Sequence, residues 1–96
     1  MSIVSVRTTR ETRAAMDRGL ILRTILPNGR LSGNALAARL NLPPRRVRRA
    51  LADLHDWGML RSVLHGTAWE ITARGRSYAA TAAGRALMDV PLAVAG

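Results

Sequence analysis

The sequence has no cysteine, no lysine and no phenylalanine. Without cysteine there is no disulfide, no thiolate nucleophile and no cysteine-based metal site. His55 and His65 are the two histidines, and no tight carboxylate cluster accompanies them, so no metal and no cofactor is expected. A glycine-rich phosphate loop, a nucleophile paired with a base, and paired carboxylates facing a cleft are all missing as well. The sequence therefore reads as a non-enzyme. Apolar runs long enough to span a membrane are also lacking, and Met1 to Val6 has neither the basic start nor the apolar stretch of a signal peptide. A cytoplasmic location is the expectation.

What is present is arginine. All fifteen basic residues are arginine, against six acidic residues, for a formal charge of +9. A GC-rich coding sequence would favour arginine by itself, but the physical consequence holds either way. Each cation carries a planar fork of donors suited to phosphate and to guanine edges, and the imbalance suggests a polyanionic partner. Hydrophobic residues make up 48% of the 96 positions and recur periodically, which indicates one folded domain over residues 1–96 and not a disordered basic tail.

Along the chain, Thr8 and Glu11 have the spacing of a capping box, predicting that a first helix starts there. Met16, Leu20, Ile21, Ile25 and Leu26 give it an apolar face, and Pro27, Asn28 and Gly29 end it. Arg30 and Leu31 read as a short extended piece. Ser32 is a good N-cap for a second helix carrying Ala35, Leu36 and Leu40. The stretch "NLPP" ends that helix, Pro43 and Pro44 suit the start of a third, and Gly58 is placed to stop it after Trp57.

"MLRSVLHGTAWEIT" reads as a β-hairpin turning at "HGTA", and Thr72 as the cap of a final helix through "ARGRSYAATAAGRALM". Trp57 and Trp69 read as core or hairpin packing. No internal repeat is evident. The final helix sets Gly75, Ala79 and Ala83 beside Ala80 and Gly84. That smooth face suits either the first helix of the same chain or a second copy, and Val90 to Val94 and "SIVSV" could join a dimer interface.

The third helix is the informative one. At about 100° per residue, Val47, Ala50, Leu51 and Leu54 form one apolar stripe. Arg45 and Arg49 fall opposite it, Arg46 and Arg48 on its two flanks, and Asp53 and Asp56 continue the outer surface toward the C-terminus. Cations in the first turns oppose the helix macrodipole, so an external anion is expected to compensate.

"LSGNALAARLNLPPRRVRRALADLHDWGMLRS" resembles the winged helix-turn-helix of bacterial transcription regulators, in the broad MarR, IclR and Lrp-like style. The likeness rests on Ala35 and Leu36, the turn Asn41, Leu42 and Pro43, the stripe of the third helix, and the exit Trp57 to Leu60. "WEITARGR" is similar to a second wing strand leading into the next helix. The resemblance implies a mainly α fold with a small β-hairpin: helix-turn-helix at about 32–57, wing at about 59–72 and C-terminal helix at about 73–88.

It also implies double-stranded DNA as partner, with the third helix in the major groove and Arg45, Arg46 and Arg49 reading it, Pro44 lying at its entry. Arg48 is expected on a phosphate or in solvent. Ser32, Gly33 and Asn34 could place amides on a phosphate. Arg61, His65 and Arg74 could touch phosphates or be solvated surface side chains. A homodimeric repressor is the expected role. A replication, partition or excision protein of a phage or plasmid would carry the same residues, and a protein-interaction adaptor is the alternative from another class.

Overall fold

The computed structural model describes residues 5–90, with side chains from residue 10 onward. Helix α1 spans Ser5–Asn28, strand β1 Arg30–Leu31, α2 Gly33–Leu40, α3 Pro44–Asp56, β2 Leu60–Val63, β3 Ala68–Ile71, α4 Ala73–Ala79 and α5 Ala82–Met88. This is a mainly helical winged helix-turn-helix with a small antiparallel sheet ordered β1-β3-β2.

Helix α1 begins at Ser5, ahead of the Thr8 start that the capping-box spacing predicts. Nothing in "SVR" breaks a helix, so the chain is already helical when it reaches Thr8. At the other end Pro27 occupies the last turn, where the Asn28 side chain donates to the Thr24 carbonyl (2.8 Å) and the Gly29 amide to Ile25 (2.6 Å). Gly29 then turns the chain at φ 76°.

The Ser32 hydroxyl caps α2 by accepting from the Ala35 amide at 3.0 Å, and Asn41 ends that helix in left-handed geometry at φ 53°. The end of α3 is a Schellman arrangement. Gly58 lies at φ 78°, its amide bonds to the His55 carbonyl, and the Met59 amide bonds to Leu54.

Leu20, Ile21, Leu22 and Ile25 of α1, Leu36 of α2, and Val47, Ala50, Leu51 and Leu54 of α3 are buried in one cluster that also takes in Leu60, Ile71, Ala79 and Val90. The stripe expected on α3 is thus its seat on the core. In the sheet, Arg61 pairs with Glu70 and Glu70 with Arg30, placing all three on one face.

The C-terminal region differs from the single helix expected over 73–88. It breaks at Ala80, and Thr81 starts α5 by accepting from the Gly84 amide at 3.0 Å, as Thr72 starts α4 by accepting from Gly75. Gly75, Ala79 and Gly84 are buried within the chain, whereas Ala80 and Ala83 are exposed. A side chain at Gly84 would strike the Tyr78 carbonyl, one at Gly75 the Met59 carbonyl, and one at Gly19 of α1 the Leu87 carbonyl of α5. Arg23 closes this corner by donating to the Met88 and Val90 carbonyls at 3.2 and 3.0 Å. Of the segments considered for a dimer interface, Ser2 to Val4 and Pro91 to Val94 lie outside the described residues.

The wing turn joins β2 to β3 through Leu64, His65 and Gly66, at φ 54°, 56° and 83°. Left-handed geometry costs a non-glycine residue about 1–2 kcal/mol, so two successive positions of this turn are strained. Hydrogen bonds fix it: Gly66 amide to Val63 carbonyl, and both the amide and hydroxyl of Thr67 to the Leu64 carbonyl.

Candidate nucleic-acid interface

Helix α3 enters from Pro43 and Pro44 with no side chain capping its first turn. Seated by its apolar stripe, it leaves Arg45, Arg48 and Arg49 exposed, and none of the three makes an ion pair or hydrogen bond among the described residues. Three cations therefore stand unneutralised in the first two turns of one helix, with Arg45 in the first turn at the positive end of its dipole.

Arg46 departs from the expectation that it reads bases. Its Nε and one terminal nitrogen donate to the two carboxylate oxygens of Asp17 on α1, at 3.0 and 2.8 Å. Asp17 is a buried charge, 5% exposed, and this bidentate pair is what makes its burial tolerable. The same hydrogen bonds hold the Arg46 guanidinium above the ordinary arginine range. Arg46 thus fastens α3 to α1.

Asp53 also departs, from a place on the outer surface. It is partly buried and accepts from Arg18 of α1 at 3.0 Å, so it belongs to the α1-facing flank with Arg46. The Arg18 guanidinium lies 4.9 Å from the centre of the Trp57 ring, and its Nε is buried without a hydrogen-bond partner. Trp57 is 43% exposed and so packs against a cation, not within the core. Trp69 is partly buried and meets His55 edge to face at 5.9 Å.

Beside α3 lies an open cleft of about 570 Å³ whose walls come from three elements. Ser32, Gly33 and Asn34 form the α2 end, Pro44, Val47, Arg48 and Leu51 the α3 side, and Gly66, Thr67 and Trp69 the wing side. The cleft thus gathers Arg48, Pro44, Ser32 and Asn34, four of the residues picked out from sequence. The Ser32 hydroxyl is already engaged in capping.

The other candidates lie apart. Arg61 is exposed, but it donates to Glu70 from Nε at 2.8 Å and from a terminal nitrogen at 2.6 Å. Arg30 reaches the other oxygen of Glu70 at 3.0 Å. Arg61 first and Arg30 second pull the Glu70 carboxyl below the usual carboxylate range. His65 is exposed in the strained turn. Arg74 lines a separate hollow with Asp56, Trp57, Met59 and Tyr78 at the far end of α3.

Asp17 and Arg18 are the residues that sequence reasoning passed over. Asp17 alone interrupts the otherwise apolar inner side of α1, and a carboxylate in that position signals a buried ion pair. Among the described residues no helix is long and apolar enough to cross a membrane, and no group of three or more His, Asp or Glu side chains could hold a metal ion.

Residues 18–61 match a family model described as winged helix-turn-helix DNA-binding. The match runs from the anchoring turn of α1 through α2 and α3 into the first wing strand. The wing turn, β3, α4 and α5 lie beyond it. No curated protein and no solved structure matches the chain.

Proposed function

We propose, from the winged helix-turn-helix that residues 18–61 match, that the chain binds double-stranded DNA sequence-specifically by laying α3 in the major groove. One observation carries this reading: Arg45, Arg48 and Arg49 are exposed and unpaired, among the described residues, around the start of α3. Arg45 and Arg49 read base edges, where a bidentate arginine on guanine discriminates by about 1–3 kcal/mol. Arg48 and the amides of Gly33 and Asn34 hold the phosphate strand that runs through the cleft between α3 and the wing.

The protein acts as a transcription repressor by occupying its site, as a homodimer on two half-sites about one helical turn apart. One buried cluster drawing on residues from Leu20 to Val90 supports reading the chain as one domain.

The test is to incubate purified protein with fragments of its source genome at physiological salt and sequence what is retained. Enrichment of a few sites sharing an inverted repeat, upstream of genes, is the expected result. Uniform retention would replace the regulator with a non-specific packaging or replication protein. No retention would sink DNA binding and turn the arginine face toward a protein partner.

A further inference from the structure

The wing carries little free positive charge, since Arg61 is engaged by Glu70, yet its turn holds a large aliphatic side chain in the open. Leu64 is 55% exposed and sits at φ 54°, followed by His65 at φ 56° and Gly66 at φ 83°. Asparagine and glycine adopt this geometry with less strain and are the usual occupants of such turns. A leucine here is strained in its backbone and gains little burial from its own chain. Strain combined with exposure in a turn fixed by three hydrogen bonds indicates that the side chain serves something outside the chain.

The position of the turn says what that is. Gly66 and Thr67 form the wall of the cleft that faces Pro44, Val47 and Arg48 of α3. On a duplex the grooves alternate across each phosphate strand, so a tip across such a strand from a helix in the major groove meets the adjoining minor groove. The unpaired Arg48 on the other wall, with Arg45 and Arg49 exposed on the same helix, favours a polyanion over an apolar protein surface as the occupant.

We propose that the wing tip is an apolar wedge, in which Leu64 enters the minor groove beside the α3 site and partly unstacks one base step, with His65 at the groove edge. Apolar side chains used this way kink the duplex, and sequences that unstack easily then bind better at positions where no hydrogen bond reads a base. This inference rests on the duplex-binding reading above.

The experiment uses the duplex retained by the wild-type protein, with 2-aminopurine placed at successive steps flanking the α3 site. Wild-type protein should raise the fluorescence at one flanking step. Leu64→Asn should abolish that rise and weaken binding about tenfold, while leaving the melting temperature equal or higher because asparagine tolerates the turn. Leu64→Met should keep the signal.

Wild-type binding with no fluorescence rise at any step would overturn insertion. Unchanged affinity and fluorescence in Leu64→Asn, with Arg45→Ala and Arg49→Ala still weakened, would overturn the wedge and leave the role of α3 standing. A Leu64→Asn protein that instead loses self-association would reassign the tip to a second copy and overturn the wedge. Failure to retain any duplex would remove the DNA-binding reading and the wedge with it.

Discussion

The two sides of α3 use the same residue type for opposite purposes. On the side facing α1, Arg46 is spent on Asp17, and Asp53 on Arg18. Arg45 and Arg48, away from α1, and Arg49, at the rim of the α1-facing side, have no such partner among the described residues. An arginine contributes to the fold where a carboxylate sits opposite it, and is available to a ligand where none does. Counting charge along "RRVRR" overlooks this, and only the packing of α1 against α3 separates one anchoring cation from three outward ones.

The largest expected effect belongs to the stripe that holds both sides in place. Leu51→Ala should cost about 2–5 kcal/mol of stability, seen as a lower denaturation midpoint, and DNA binding should survive in the fraction that stays folded. A variant as stable as the parent would mean that α3 is not seated by this stripe, and the comparison would lose its basis.

Next is the direct contrast of neighbours. Arg46→Ala leaves the buried Asp17 carboxylate uncompensated and should cost about 2–3 kcal/mol in a denaturant titration. Arg45→Ala should leave stability within about 0.5 kcal/mol while relaxing base preference in the same selection assay. Exchanged results would place Arg46 in the reading surface and Arg45 in the scaffold.

A smaller effect sharpens the division within the outward side. Arg48→Ala should flatten the slope of log affinity against log salt by about 0.9, the share of one phosphate, without altering the preferred sequence. A changed sequence preference would make Arg48 a base reader.

The smallest effect tests whether pairing also takes Arg61 and Arg30 out of use. Because Glu70 titrates below its unfolded range, its contribution to stability is present above the ordinary carboxylate range and disappears as pH falls through the lowered folded value. Glu70→Gln should therefore be slightly less stable than the parent near neutrality, with the gap closing in acid and at high salt. A gap that widened in acid would reverse the assignment.

How much of this could be read from the sequence depends on the range of the interaction. The ends of α3 were legible because Pro43, Pro44 and Gly58 act on their own backbone, and α2 because Ser32 caps three residues on. The apolar stripe was legible from periodicity, which also told Arg45 and Arg49 from the flanks. What a flank faces is not a periodic property, so the ties of Arg46 and Asp53 to α1, 29 and 35 residues away, stayed hidden. The break at Ala80 did have a local signal. "TARGR" at Thr72 recurs as "TAAGR" at Thr81, and each threonine caps the amide of the glycine three residues on. The wing was visible as a hairpin, but the left-handed leucine was not, because a turn usually selects a residue for that geometry and this one did not.

Asp17, Arg18 and Gly19 are consecutive on α1, and they join α3 twice and then the backbone of α5. A ribosome makes that turn early, while its last neighbours, Leu87 to Val90, come near the end of the described chain. The nascent helix therefore emerges with its carboxylate, its guanidinium and its apolar face all without partners. Closure of this corner must wait until α5 has cleared the exit tunnel, so α1 can meet α3 before it can meet α5.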